Sequence, residues 1–313
     1  MATRLPCSPT KGNKTLALLN PPESRPTLIL LIARRLADRP DASENKVNLI
    51  KVLAAHGSGG RNPTRDVEVN LAQSTMLGIT AEDGEVVRLS AAGQDALQSG
   101  NFTKFLREQV MDKRHNSEPW GSQAGARDLT NGLAWFLALP IIELPTDFAG
   151  RGVNAQAIQA RQFGERRDGP DGENNWPIVN SERWGPFQRW ACGLGLAWTT
   201  PKGLTVPDPT AALRDVIPEA FKEEDRISAK DFTRAVAEEI PVLDGGTYRK
   251  FVEANLADEQ SLGSRGQFSQ AFTDALRRLE LAGEITLEQR DDAPTSHDAN
   301  KRPFTHVSTG GRR

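Results

Sequence analysis

The carboxylates of "EDGEVV", Glu82, Asp83 and Glu85, come nearest by type and spacing to a catalytic set. A metal-dependent nuclease places spaced carboxylates on a hairpin, with a lysine two residues beyond the second, so that one ion and its attacking water are held together. No lysine stands there, and the hairpin around Asp83-Gly84 is short, so the three acids read as a solvated turn. His297, Asp298 and His306 flank a later hairpin. Neither they nor His56 and His115 have the ligand spacing of a zinc or di-metal site, and no metal is expected. Cys192 sits in the apolar stretch "RWACGLGLAW" and reads as a packed thiol, because a reactive thiolate needs an electropositive, exposed setting. "GSGG", Gly57 to Gly60, lacks the Gly-Lys-Ser/Thr ending of a phosphate loop and follows a helix, not a strand. "CGLGLAW" fails the dinucleotide fingerprint for the same reason. Neither a catalytic residue nor a cofactor is expected.

Contact with DNA is the chemistry that remains. In a helix-turn-helix the first residues of one helix reach base edges, while neighbouring amides and cations hold phosphates. Near the C-terminal end, Ser264, Arg265, Gln267 and Gln270 stand at such a helix start, and arginine and glutamine are suited to guanine and adenine. Lys301, Arg302, Arg312 and Arg313 add a basic tail. Earlier in the chain Arg61, Asn62, Thr64 and Arg65 form a second candidate set, and Arg183, Gln188 and Arg189 a third. Against this, residues 228 to 313 hold twelve Lys plus Arg and fourteen Asp plus Glu, so these side chains also read as ordinary solvated faces. Trp135, Trp190 and Trp198 lie among apolar neighbours and are expected in the core. Trp120 and Trp176, in polar Gly/Pro loops, are the weaker candidates for a partner surface.

The elements that must position these residues repeat. "STMLGITAEDGEVVRLSAAGQDAL", Ser74 to Leu97, runs from helix to hairpin to helix: Val67, Leu71 and Leu77 have helical spacing, Asp-Gly suits a tight turn, and Ser90 stands as an N-cap. Ahead of it lie two helices, "TLILLIARRLADRP" with Pro26 near its first position and "SENKVNLIKVLAAHG" with the stripe Val47, Ile50 and Leu53, and then a third, with Thr64 as its expected cap. Three helices and a hairpin make a winged-helix unit. The same grammar recurs in "SERWGPFQRWACGLGLAWTTPKGLTVPDP" and in "SRGQFSQAFTDALRRLELAGEITLEQRDDA", whose second strand is expected in "RPFTHVS". No short fixed period links the copies, so they read as tandem domains and not a solenoid. The expected fold is mostly α with small β-hairpins: a flexible lead over 1–20, units over 21–116, 124–221 and 228–313, and a polar loop at 164–177.

Composition sets limits. The 313 residues have room for two or three domains, and 37% hydrophobic content fills several small cores. A formal charge of -2 argues against coating nucleic acid non-specifically, so any DNA contact must come from local patches. Two cysteines, Cys7 and Cys192, support neither a disulfide framework nor a four-cysteine zinc site, in keeping with a reducing, cytoplasmic setting. The longest apolar run, Leu28 to Ala33, falls far short of the ~20 residues of a membrane span. "MATRLPCSPTKGNKT" lacks the apolar core of a secretion signal.

Three stretches carry a family resemblance. "LTVPDPTAALRDVIPEAF" (Leu204 to Phe221), "AEEIPVLDGGTYRKFVEANL" (Ala237 to Leu256) and the opening "LLNPPESRPTLILLIARRLA" resemble the DpdG family, in a pattern spanning roughly residues 16 to 308. That family is encoded in bacterial clusters that insert 7-deazaguanine bases into DNA and restrict DNA lacking them. The resemblance implies a place in a restriction or anti-phage assembly beside helicase-like, ATPase or nuclease-like proteins, and it implies no catalytic residues. The expected role is a non-enzymatic accessory subunit that engages DNA or organises partner proteins. The alternatives are a winged-helix transcriptional regulator, distinguished by a symmetric dimer on a palindromic site, and an unrecognised metal-dependent nuclease.

Overall fold

A computed structural model describes residues 16–55, 62–117, 119–169, 174–222, 224–257, 262, 267–290, 295–297, 299–300 and 302–310. The chain is mostly helical, with small antiparallel sheets. Helix α1 (Pro26–Ala37) begins on a proline, whose missing N–H costs nothing at that position, and buries Leu28, Ile29, Ile32, Ala33 and Leu36 along one face. Strand β1 (Ser43–Asn45) leads directly into α2 (Lys46–Ala55), where the Asn45 side chain accepts from the Val47 and Asn48 N–H groups at 3.0 and 3.3 Å. Ser43, the first residue of the second expected helix, is therefore a strand residue. Helix α3 (Pro63–Met76) is capped by Asn62, which accepts from the Arg65 N–H at 3.2 Å. Thr64, the expected cap, lies inside the first turn because Pro63 takes the first helical position.

Strands β2 (Thr80–Asp83) and β3 (Val86–Leu89) form the hairpin and join β1 in the order β1-β3-β2. Asp83 pairs with Val86, so the two turn residues are Gly84 and Glu85, one place later than the sequence suggests. Gly84 has φ +57°, the left-handed conformation that a two-residue turn with glycine first requires. Ser90 caps α4 (Ala91–Gln98) by accepting from the Gly93 N–H at 3.1 Å, as its position implies. Helix α5 (Phe102–Met111) follows.

In the middle, α6 (Arg127–Phe136) is buried along its whole length, and α7 (Ala155–Phe163) precedes α8 (Ser181–Gly193) and the two-stranded hairpin β4 (Ala197–Thr199) and β5 (Thr205–Pro207). No third strand joins this hairpin among the described residues. Helix α9 (Thr210–Phe221), grouped from sequence with the middle unit, packs on α10 (Ala229–Glu239) and α12 (Gln270–Leu281). Thr210 does not cap it; the Asp208 carboxylate instead accepts from the Thr210 N–H at 3.1 Å. Between α10 and α12 stands α11 (Thr247–Ala254), which packs on α6. Strand β6 (Arg226–Ser228) enters α10, and β7 (Ile285–Glu288) leaves α12. After the short pair β8 (Ser296–His297) and β9 (Pro303–Phe304) comes β10 (His306–Thr309), in a sheet ordered β6-β10-β7. The expected strand over 302–308 thus splits: Pro303–Phe304 pairs with β8, and His306–Thr309 pairs with β7.

The first and last units share one core connectivity, helix, strand, helix, then a capped helix and two paired strands, with the first strand beside the last; the last unit adds α11 before its capped helix and the β8–β9 pair between its two strands. The helix before each of the three hairpins also ends in the same way. Gly78, Gly195 and Gly283 have φ of +69°, +71° and +71°, and the next N–H reaches back five residues: Ile79 to Ser74, Leu196 to Ala191 and Glu284 to Leu279, at 2.9, 3.0 and 2.9 Å. This is a glycine C-cap that satisfies the last carbonyls while turning the chain sharply into a strand.

One hydrophobic core runs through all three units. Part of the join is the segment carrying "LLNPPES". Leu18 and Leu19, expected within a flexible lead, are fully buried, and the Leu19 N–H donates to Asp128 at 2.9 Å. Ser24 donates to Gln73 of α3 at 2.8 Å and accepts from Trp190 Nε1 of α8 at 2.7 Å. Among the described residues no helix is long and apolar enough to cross a membrane.

Candidate nucleic-acid interface

The start of α12 is the most elaborately held of the expected contact sites. Ser269 caps the helix, accepting from the Phe272 N–H at 3.3 Å. Its own N–H and hydroxyl both donate to the buried Asp244 carboxylate, at 2.7 and 2.6 Å. Asp244 belongs to "PVLDGG", the turn between α10 and α11, so this turn fixes where α12 begins. The turn needs its glycines. Gly245 has φ +79°, and a Cβ on Gly246 would lie 2.3 Å from the Pro241 carbonyl oxygen, which accepts from the Tyr248 and Arg249 N–H groups. Beyond it, the Tyr248 hydroxyl donates to the Met111 carbonyl at 2.8 Å, and Arg249 donates to the Ala134 carbonyl at 3.3 Å and to Glu253 at 2.7 Å.

Of the residues expected to touch DNA from this unit, Gln267 and Gln270 are half-buried, and Gln270 Nε2 donates to Asp274 at 2.8 Å along α12. Arg302 is exposed just before β9. Ser264, Arg265, Lys301, Arg312 and Arg313 lie outside the described residues, as do Arg61, the "GSGG" turn, His56, Cys7 and Asp298.

At the start of α3, Asn62, Thr64 and Arg65 are exposed together, but Asn62 is occupied in capping and Arg65 Nε lies 3.0 Å from Glu23. The adjoining hairpin tip carries Glu82, Asp83 and Glu85, all exposed, a charge that repels phosphate. Glu82 is taken by Lys46 Nζ at 2.5 Å, and Glu85 accepts from Asn45 at 3.4 Å, so the acids do not converge on one point. Among the described residues no three His, Cys, Asp or Glu side chains are grouped to hold a metal. His115 is partly buried, and burial lowers its pKa. His306 Nδ1 is 3.0 Å from the Thr305 hydroxyl.

The third expected set faces inward. Arg183 is 8% exposed and pairs with Asp128 at 3.2 Å and with Gln123. Arg189 Nε donates to the Ser24 carbonyl at 3.2 Å, and Gln188 to the Thr205 hydroxyl at 2.8 Å. Sequence reasoning placed these on the surface; their partners lie far along the chain, which no local pattern reveals. Burial pushes the Asp128 carboxyl up to about 6, against the pull of the Arg183 guanidinium and of the Leu19 N–H.

The tryptophans need two corrections. Trp176, expected on a partner surface, is buried and donates from Nε1 to the Gly164 carbonyl at 2.9 Å. Trp198, expected in the core, is 45% exposed, because only Ala197 of the three-residue β4 is turned inward. Trp120 is half-buried and stacked on Phe163, while Trp135 and Trp190 are core residues as expected. Cys192, expected to be packed, is half-buried and lies on the wall of a 580 Å³ cavity, 3.4 Å from the Thr199 hydroxyl. Sequence reasoning also passed over Lys113, Lys230 and Lys250, single lysines on separate elements that share one cleft.

A family model described as DpdG-like matches residues 16–293, which takes in the first two units and the third as far as β7. No curated protein and no solved structure matches the chain.

Proposed function

The chain belongs to the DpdG-like family, which associates it with the Dpd DNA-modification systems, and from that premise we propose that it serves such a system as a non-enzymatic accessory subunit. Its first and last units act as winged-helix modules, the last turned toward DNA and the rest toward partner proteins of a restriction complex, the helicase-like, ATPase or nuclease-like components. The observation that carries this reading is the shared connectivity of the two units, each with its sheet ordered so that the first strand lies beside the last and each with a side-chain-capped helix running through a glycine into the hairpin. In a winged helix that capped helix is the one held against a groove. The last unit is favoured for DNA because the acidic hairpin tip of the first opposes it.

The test is fluorescence anisotropy of the intact chain with labelled duplex and single-stranded DNA at low salt, repeated with Asp244→Ala, which releases the start of α12. Binding that weakens in the variant supports the role of the last unit. No binding by the wild-type chain at low salt removes DNA contact and leaves only the scaffolding half of the reading. Metal-dependent cleavage of the DNA would overturn the non-enzymatic assignment.

A further inference from the structure

Helix α10 separates two concavities of opposite character. On one flank the lining includes Glu219, Glu224, Asp231, Glu238 and Glu239, which outnumber the cations there. On the other is a cleft of 810 Å³ whose lining holds Lys113, Lys230, Arg234 and Lys250 with one acid, Glu238. The cations come from three elements: the turn after α5, the first two turns of α10, and α11. Lys113, Lys230 and Lys250 are exposed, and among the described residues none of their ammonium groups has an ion-pair or hydrogen-bond partner, although Lys230 is close enough to Asp231 to help hold its carboxyl low. Arg234 pairs at 2.7 Å with Asp231, but that pair is open to water and holds the guanidinium weakly. Phe268, two residues before the start of α12, and Ser296 also line the cleft.

Unpaired like charges converging on one concavity repel one another and are relieved by an anion. The volume falls in the usual range for a small ligand, about 300–1,000 Å³. We propose that this cleft binds the phosphate of a nucleotide unit within a nucleic-acid strand, the ammonium groups of Lys113, Lys230 and Lys250 serving as its counter-charges. The proposal rests on the reading of the last unit as the DNA-facing one and extends it from the start of α12 to the cleft behind α10. A free nucleotide offers the same phosphate chemistry and is the alternative source.

The test compares wild type with the double variant Lys230→Glu/Lys250→Glu and with a control of equal charge change, Lys51→Glu/Lys202→Glu, on exposed lysines of α2 and the β4-β5 hairpin. Anisotropy with labelled single-stranded and duplex oligonucleotides gives the affinity at several salt concentrations, and calorimetry with thymidine 5′-monophosphate gives the free-nucleotide arm. Since each phosphate contact contributes about 0.7–0.9 to the slope of log affinity against log salt, losing two should flatten it by about 1.4–1.8. The cleft variant is expected to bind DNA at least ~10-fold more weakly at low salt with that flatter slope, the control less than ~3-fold more weakly with its slope unchanged. The monophosphate should bind too weakly to measure.

DNA binding that is unchanged in the cleft variant, or equally reduced in both, overturns the cleft and leaves the proposed function standing. Tight monophosphate binding lost only in the cleft variant, without DNA binding, overturns the strand assignment and the DNA reading together while retaining a phosphate site. No binding of either probe by wild type overturns both. Unfolding in urea should match wild type for both variants, because all four lysines are exposed.

Discussion

Replacing Asp244 with alanine tests the link between the family-matched turn and the start of α12. Asp244 is 9% exposed and Ser269 7%, so the pair is shielded from water and lost bonds are not replaced by solvent. The carboxylate accepts from the Ser269 N–H at 2.7 Å and from its hydroxyl at 2.6 Å. Hydrogen bonds to a charged group contribute about 1.5–3 kcal/mol each, and the deletion also leaves a buried N–H unpaired, so Asp244→Ala should cost about 3–5 kcal/mol. Ser269→Ala removes the hydroxyl bond and the cap on Phe272 but keeps the N–H bond, for about 2–5 kcal/mol. The double variant should then be less destabilised than the sum by about 1.5–3 kcal/mol, the share of the hydroxyl–carboxylate bond. Urea unfolding of the four proteins, followed by far-ultraviolet circular dichroism, measures the cycle. An Asp244→Ala cost below about 1 kcal/mol, or strict additivity, would refute the claim that this turn positions α12.

Gly246→Ala should cost about 3 kcal/mol or more in the same assay, since its Cβ would meet the Pro241 carbonyl, a backbone atom that already accepts two N–H groups. For Asp128, burial raises the folded-state pKa to about 6 from an ordinary 3.8, so its proton is held more tightly folded than unfolded. Its contribution to stability is therefore full below pH 3.8 and is lost as pH rises through 6. Measured against the non-titrating Asp128→Asn, wild type should lose on the order of 2–3 kcal/mol of relative stability between pH 4 and pH 7; a flat or rising difference would show the Arg183 pair prevailing. Trp198→Ser should change stability by less than about 1 kcal/mol while removing the tryptophan emission most accessible to iodide, whereas Trp190→Ala should cost about 3–5 kcal/mol.

Helices and hairpins were legible because their signals are local: helical apolar spacing in α1, α3 and α12, and glycines where the chain must turn with positive φ. The edge strands β1 and β6 were not, since three residues such as Ser-Glu-Asn or Arg-Ile-Ser carry no readable alternation and are strands only because β3 and β10 lie beside them. The same limit explains the exchanged tryptophans. Trp198 follows apolar residues yet sits on the outward face of a short strand, and Trp176 follows polar ones yet is drawn inward. Candidate contacts were legible as residue types but not as free side chains, because Arg183 is neutralised by Asp128, 55 positions earlier, and Arg189 is held by Ser24. The lysines of the α10–α11 cleft are adjacent only in the fold.

The most direct test of the account is the affinity of the intact chain for duplex DNA over a salt series, with and without magnesium, while the length of the DNA is followed on a gel. The account predicts binding whose log affinity falls with a slope of about -2.7 to -3.6 against log salt, the range for three or four phosphate contacts on a duplex, with the DNA intact in both conditions. Absence of binding at the lowest salt, or magnesium-dependent shortening of the DNA, would contradict it.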